Sequence, residues 1–142
     1  MNELWQPVVG YEDLYEVSNL GRVRSVDRYI ERMNRWGTMN RALLKGRILR
    51  PGRSVCKRLQ VNLSKNNVPW MVAVHRLVSR AFLGPCPVGL EVDHVDGNYE
   101  NNCADNLEYV THQQNQKRAY DMGKINPPLN ARCSTTGRFT SA

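Results

Sequence analysis

Residues 92–115 read VDHVDGNYENNCADNLEYVTHQQN, and this stretch decides how the rest of the chain is understood. Leu90 to His94 reads as a strand, Asp96-Gly97-Asn98 as a turn, and Asn101 to Asp105 as a continuing polar loop. Leu107 to Val110 is a second short strand. Thr111, with Gln114 three residues later, is a capping box that starts a helix running to about Tyr120 and sets Asn115 in its first turns. The order strand, loop, strand, helix gathers the carboxylate of Asp93, the imidazole of His94 and the carboxamide of Asn115 into one short unit. Those are the side chains needed to hydrolyse a phosphodiester with one divalent metal. Adjacent residues of a strand point to opposite faces, so Asp93 and His94 can share one phosphate only if the strand bends or bulges there.

Simpler readings of the same residues set limits. Asp96-Gly97-Asn98 has the composition of a turn without chemistry, and Asn101 and Asn102 are loop formers rather than ligands. An EF-hand fails: a frame starting at Asp93 puts Val95 at the third ligand position, and one starting at Asp96 puts Asn101 where glycine is required. His112, in the first helical turn, is most simply solvent-exposed.

Working outward, His75 to Leu83 (HRLVSRAFL) places Leu77, Val78, Ala81 and Phe82 on one helical stripe, stopped by Gly84-Pro85. His75 precedes that stripe and reads as a packed or capping residue that could also reach a phosphate. Before it, Leu59, Val61 and Leu63 alternate with polar residues, Ser64 to Asn67 turns, and Trp70, Val72 and Val74 alternate on the return, which predicts a hairpin. A first hairpin is predicted from Tyr15 and Val17, through Asn19 and Gly21, to Arg22, Val23 and Arg24. Residues 27–45 lack clear periodicity and are expected to form an irregular arm, and Lys45 to Leu49 a short strand ended by Pro51-Gly52.

The charge is placed in the same half. Of a net +7 over 142 residues, the segment from Gly21 to Arg58 holds twelve Lys or Arg against two acids, Asp27 and Glu31. Interleaved with Tyr29 and Trp36, that block suits a surface tracking a phosphate backbone, against the alternative of a solvated loop that binds nothing specific. The four cysteines, Cys56, Cys86, Cys103 and Cys133, form no CxxC pair, which argues against a zinc ribbon and for reduced thiols. No apolar run is long enough to span a bilayer, and the amino terminus lacks the order of a signal peptide. The expectation is a soluble cytoplasmic protein.

His75-Arg76-Leu77-Val78, Phe82, Asp93-His94, Asp96-Gly97-Asn98, Asn101-Asn102, Asn106-Leu107 and Val110-Thr111 together resemble the HNH endonucleases, in the version of phage and intron-encoded homing enzymes. Trp5, Gly10-Tyr11, Tyr15 to Asn19 and Gly21-Arg22-Val23 resemble the small DNA-binding module that precedes the HNH unit in them. The two patterns span about residues 3–118. The resemblance implies an α+β fold: a small antiparallel β-rich amino-terminal module, then a ββα-metal (His-Me finger) nuclease module. The modules would occupy residues 1–52 and 53–120, with the ββα core at about 90–120 and a loose tail over 121–142.

It also implies roles. His94 matches the general base, Asp93 and Asn115 match the metal ligands, and Asn106 matches the asparagine that holds the motif loop. The cofactor would be Mg²⁺, with Mn²⁺ as a substitute, because a hard cation prefers oxygen donors. The partner would be double-stranded DNA, contacted by Arg22, Arg24, Arg28, Arg47, Arg50, Arg58 and His75. A monomer is expected, with a dimer as the alternative, in the host cytoplasm if the gene is phage-borne. The rival reading is a catalytically inactive DNA-binding or regulatory protein that keeps the scaffold.

Overall fold

The protein is described by a computed structural model that covers residues 2–124. The tail expected over 121–142 lies outside the described residues from 125 onward. Four small antiparallel sheets and two helices make up the described residues. The first sheet joins β1 (Trp5–Pro7), β2 (Tyr15–Ser18) and β3 (Val23–Ser25). Strands β4 (Arg28–Met33) and β5 (Met39–Leu44) form a separate hairpin, and β6 (Gly52–Arg53), β7 (Leu59–Lys65) and β8 (Val68–Ala73) the third sheet. After α1 (Val74–Phe82) come β9 (Leu90–His94), a 3-10 turn (Ala104–Asn106), β10 (Leu107–Thr111) and α2 (His112–Asp121).

Helix α1 sits in the middle and touches β1, β2, β7, β8, β9 and β10. Its apolar stripe is the reason: Val74, Leu77 and Val78 are buried against Val8, just past β1, against Tyr15, Val17 and Val23 from the first sheet, and against Val61 and Leu63 from the third. Leu107 of β10 closes the same cluster. Each such side chain contributes about 1.5–3 kcal/mol by leaving water. The core runs across residue 52 without a break. The Tyr15 hydroxyl reinforces this by accepting from the Ser64 N–H at 3.0 Å, tying β2 to β7.

Two expectations change. Residues 27–45 are not irregular: β4 and β5 pair from Arg28↔Leu44 to Met33↔Met39. The turn is set by Asn34, whose Oδ1 accepts from the N–H groups of Trp36 and Thr38, both at 2.9 Å. Lys45 to Leu49 forms no strand of its own; it contributes a single bridge, Arg24↔Ile48, and the strand forms at Gly52–Arg53 instead. The second hairpin turns more tightly than its sequence predicts. Asn66 and Asn67 both take positive φ (54° and 62°), closing a two-residue connection that suits the twist of the strands.

Candidate active site

Strands β9 and β10 pair continuously from Leu90↔Thr111 to His94↔Leu107. The bulge expected at Asp93-His94 is therefore absent. His94 is instead the last residue of β9, and its carbonyl accepts from the Gly97 N–H at 2.9 Å as the chain turns away. Asp93, His94 and Asn115 line one small pocket, with Tyr99 and Arg118 beside them. The pairing thus delivers two neighbouring residues to one place by ending the strand between the sheet and the loop.

Helix α2 supplies the third member. Its capping box forms as the sequence predicts: Thr111 Oγ1 accepts from the Gln114 N–H at 3.2 Å, and Gln114 Oε1 accepts from the Thr111 N–H at 2.9 Å. Asn115 follows one residue later, and its Nδ2 donates to Glu91 Oε1 at 2.7 Å. That bond fixes which way the amide faces and reserves Oδ1 for another partner. Arg118, three residues on and so on the same helix face, donates to Asp93 Oδ2 at 2.8 Å and to Glu108.

His94 is only 1% exposed. Its ring meets the edges of His75 and Tyr99, with centroids 5.3 and 5.7 Å away. Its Nε2 lies 3.1 Å from Asn102 Oδ1. The Asn102 Nδ2 donates to the Glu100 carbonyl at 3.2 Å, so the oxygen of this amide faces the ring and Nε2 must carry the proton. In the neutral imidazole the lone pair then sits on Nδ1. Burial holds the His94 pKa below its ordinary 6.5, with Arg58 adding to the effect and the Asn102 bond, Asp93 and Asp96 opposing it. Asn102, read from sequence as a loop former, is the residue that this reading missed; only its place beside Asn101 in the loop hinted at a role.

Asn106 sits at the centre of the loop. Its Oδ1 accepts from the Asp96 N–H at 3.1 Å, while its Nδ2 donates to Asp96 Oδ1 at 2.9 Å and to the Asn101 carbonyl at 2.8 Å. Asp96, held also by Asn101 and the Asn98 N–H, has its carboxyl pushed below the usual range by those bonds. The loop is thus cross-braced by side chains rather than by a ladder.

The expected DNA-contacting residues divide. His75 is not on the surface: it is 2% exposed, its Nδ1 has no hydrogen-bond partner among the described residues, and burial, followed by His94 and Arg58, lowers its pKa to about 3. It is a packing residue of α1, because the apolar stripe that buries Leu77 and Val78 carries it inward too. Arg22 and Arg24 are half-exposed but already paired, with Glu3 and Glu16, and Arg24 also lies 4.1 Å from the Trp5 ring centroid. Arg28 has one buried nitrogen without a partner among the described residues. Arg47 and Arg50 are exposed. Arg58 reaches over the pocket-lining ring of Tyr99, 5.3 Å from its centroid.

A ββα unit that presents an aspartate, a histidine and a helical asparagine to one pocket defines an HNH-type nuclease module. Residues 72–117 match the family described as HNH endonuclease, and residues 3–64 match the NUMOD4 motif. The chain carries an HNH endonuclease domain behind a NUMOD4 motif and is homologous to the phage homing endonuclease I-HmuI. It is 33% identical to the DNA endonuclease I-HmuI of Bacillus phage SP01 over 86% of its own length and 60% of that protein. It is 32% identical to the uncharacterized HNH endonuclease L245 of Acanthamoeba polyphaga mimivirus over 84% of its length and 30% of that protein. A solved structure of I-HmuI, concerned with DNA binding and cleavage, superposes with a TM-score of 0.67 at 29% identity, covering 93% of this chain and 66% of that one. The chain therefore spans less than two thirds of each of these relatives. Among the described residues, no helix is long and apolar enough to cross a membrane.

Proposed function

We propose that this chain is a homing-type endonuclease that hydrolyses phosphodiesters of double-stranded DNA, leaving a 5′ phosphate and a 3′ hydroxyl. The observation that carries the proposal is the pair of oriented amides. One, Asn102, leaves the His94 Nδ1 lone pair free to take a proton. The other, Asn115, leaves an amide oxygen free in the same pocket as the Asp93 carboxylate.

Two oxygen donors fit a hard divalent cation such as Mg²⁺, or Mn²⁺ in its place, which keeps several waters and takes few protein ligands. Among the described residues no three His, Cys, Asp or Glu converge on a point, in keeping with water and phosphate oxygens filling the rest of such a shell. Bound by Asp93 and Asn115, the cation would supply neutralisation of charge on the phosphate and on the departing 3′ oxygen.

The residues of the chain do the rest. His94 accepts the proton of the attacking water at Nδ1, and its lowered pKa keeps it unprotonated at neutral pH. Arg118 holds Asp93 through Oδ2, leaving Oδ1 for the cation. Asn106 keeps the loop closed so that His94 stays at the strand end. Met122 and Lys124 also line the pocket, so a phosphate reaches the deeply buried His94 as these two give way. Arg58, Arg47 and Arg50 and the cations of the β4–β5 hairpin contact the DNA backbone.

The test is cleavage of supercoiled plasmid bearing candidate phage sequence, with Mg²⁺ and with EDTA. Relaxed or linear product is expected with Mg²⁺ only, and His94→Ala should lower the rate by about 10²–10⁴-fold. DNA affinity should stay within about threefold, since a buried base makes little ground-state contact. Undiminished cleavage by His94→Ala removes the base assignment. Binding without nicking in any divalent metal leaves a DNA-binding protein on an HNH scaffold.

A further inference from the structure

The turn between β2 and β3 does not face solvent. It lies against the motif loop, where the Ala104 N–H donates to the Asn19 carbonyl at 2.8 Å. Asn19 is itself fixed, accepting at Oδ1 from the Leu4 N–H at 2.8 Å. Gly21 takes φ +82°, and a Cβ built on it would fall 2.9 Å from Asn102 Cβ and 3.0 Å from the Asn102 carbonyl oxygen. Only a residue without a side chain lets the turn approach this closely. Asn102 is 3% exposed, wedged between the turn on one side and the His94 ring on the other.

Asn102 therefore has its position set from two directions. Its Nδ2 is tied to the Glu100 carbonyl within the loop, and its backbone and Cβ are stopped by Gly21. The one group left to it is Oδ1, which meets His94 Nε2. We infer that Asn102 is a positioning residue that selects the Nε2–H tautomer of His94, and that the β2–β3 turn of the NUMOD4 segment, through Gly21, is the abutment that holds Asn102 in place. The amino-terminal module thereby acts on the chemistry as well as on DNA. Without Asn102 the imidazole would divide between its two tautomers, and the fraction with its proton on Nδ1 would be unable to accept one there. This inference rests on the assignment of His94 as the base.

The tautomer can be read directly. The chain has three histidines, so ¹⁵N-histidine labelling gives a spectrum in which His94 is assigned by its loss in His94→Ala. In the metal-free, DNA-free protein at neutral pH, His94 should show a protonated Nε2 and an unprotonated Nδ1. Asn102→Leu should mix the two signatures and lower the single-turnover cleavage rate by roughly 10–100-fold with DNA affinity within about threefold, the split expected of a group that acts only on the reacting state. Asn102→Asp, which keeps an acceptor toward Nε2, should restore the Nε2–H signature and most of the rate. Gly21→Ala should shift the His94 signals in the same direction as Asn102→Leu, and it stands in for that variant if the leucine fails to fold. An unchanged tautomer and rate in both Asn102→Leu and Gly21→Ala overturns the inference while leaving His94 as base. Full cleavage by His94→Ala instead removes the base and leaves the tautomer measurement standing.

Discussion

The β2–β3 and β4–β5 hairpins follow one another in the chain and are built on the same antiparallel ladder, but their side chains go to opposite places. In the first, Tyr15, Val17 and Val23 are buried, and even the turn is covered by the motif loop. In the second, all six residues of β5 are exposed, as are Tyr29 and Met33 of β4 and Trp36 at the turn. Its order comes from backbone pairing and from cations stacked on rings, Arg41 4.1 Å from the Tyr29 centroid and Arg35 4.2 Å from that of Trp36. A hairpin with no core of its own is marginal in water, and one that displays arginine on both faces, with an aromatic ring beside it on one, is suited to lying along a polyanion. The first hairpin is packed into the core and against the motif loop; the second extends from it.

The contrast is open to attack at two tyrosines. Tyr15→Ala removes a buried ring and its hydrogen bond to Ser64 and should cost about 3–5 kcal/mol of stability by denaturant unfolding. Tyr29→Ala, at 61% exposure, should stay within about 0.5 kcal/mol of wild type. Similar losses at both sites would mean that the arm is packed after all.

Acid should also discriminate between the two regions. His75, buried on α1 beside His94, has its pKa lowered to about 3 in the folded chain from its ordinary 6.5. Its pKa is depressed by folding, so the unfolded chain takes up the proton first and stability, complete above 6.5, falls as pH is lowered toward 3. One such group accounts for about 1.4 kcal/mol per pH unit within that window. His75→Phe should flatten the pH dependence of unfolding between pH 6 and 4, whereas charge removal in the arm should leave it alone; an equal slope in wild type and His75→Phe would place the acid sensitivity elsewhere.

The smallest effects are expected in DNA binding. Replacing Arg35 and Arg41 by alanine should lower the salt slope of binding by about 2 and weaken affinity on the order of tenfold. Replacing Arg22 and Arg24, already paired with Glu3 and Glu16, should do less. A larger change from the inner pair would reverse the division between the hairpins.

The sequence carried the ββα unit almost residue by residue, because its signals are local: a capping box, an Asp-Gly turn and two short apolar strands. The hairpin of β7 and β8 and the helix α1 were readable for the same reason, through periods of 2 and 3.6. The β4–β5 hairpin was not, since a strand exposed on both faces has no alternation to detect; Asn34 and Gly37 at its turn were the available clue. At the site, the residue types and spacing of Asp93, His94 and Asn115 could be read directly. The contribution of Asn102 could not, because it depends on Gly21, eighty-one residues earlier in the chain. The burial of His75 likewise follows from the sheets packed on α1, which no local pattern near residue 75 announces.

The shared core changes what the two family matches mean for anyone recombining such proteins. The NUMOD4 match ends at residue 64 and the HNH match begins at 72, which invites a cut between them. Such a cut would strip Val8, Tyr15, Val17 and Val23 from Val74, Leu77 and Val78, leaving each fragment with an open apolar face. A unit of homology is here smaller than a unit of folding. Grafting a new amino-terminal segment onto the HNH unit would succeed only if the donor brought matching side chains and a glycine opposite Asn102, whereas the arm between Arg28 and Leu44 could be exchanged as a loop is, without opening the core.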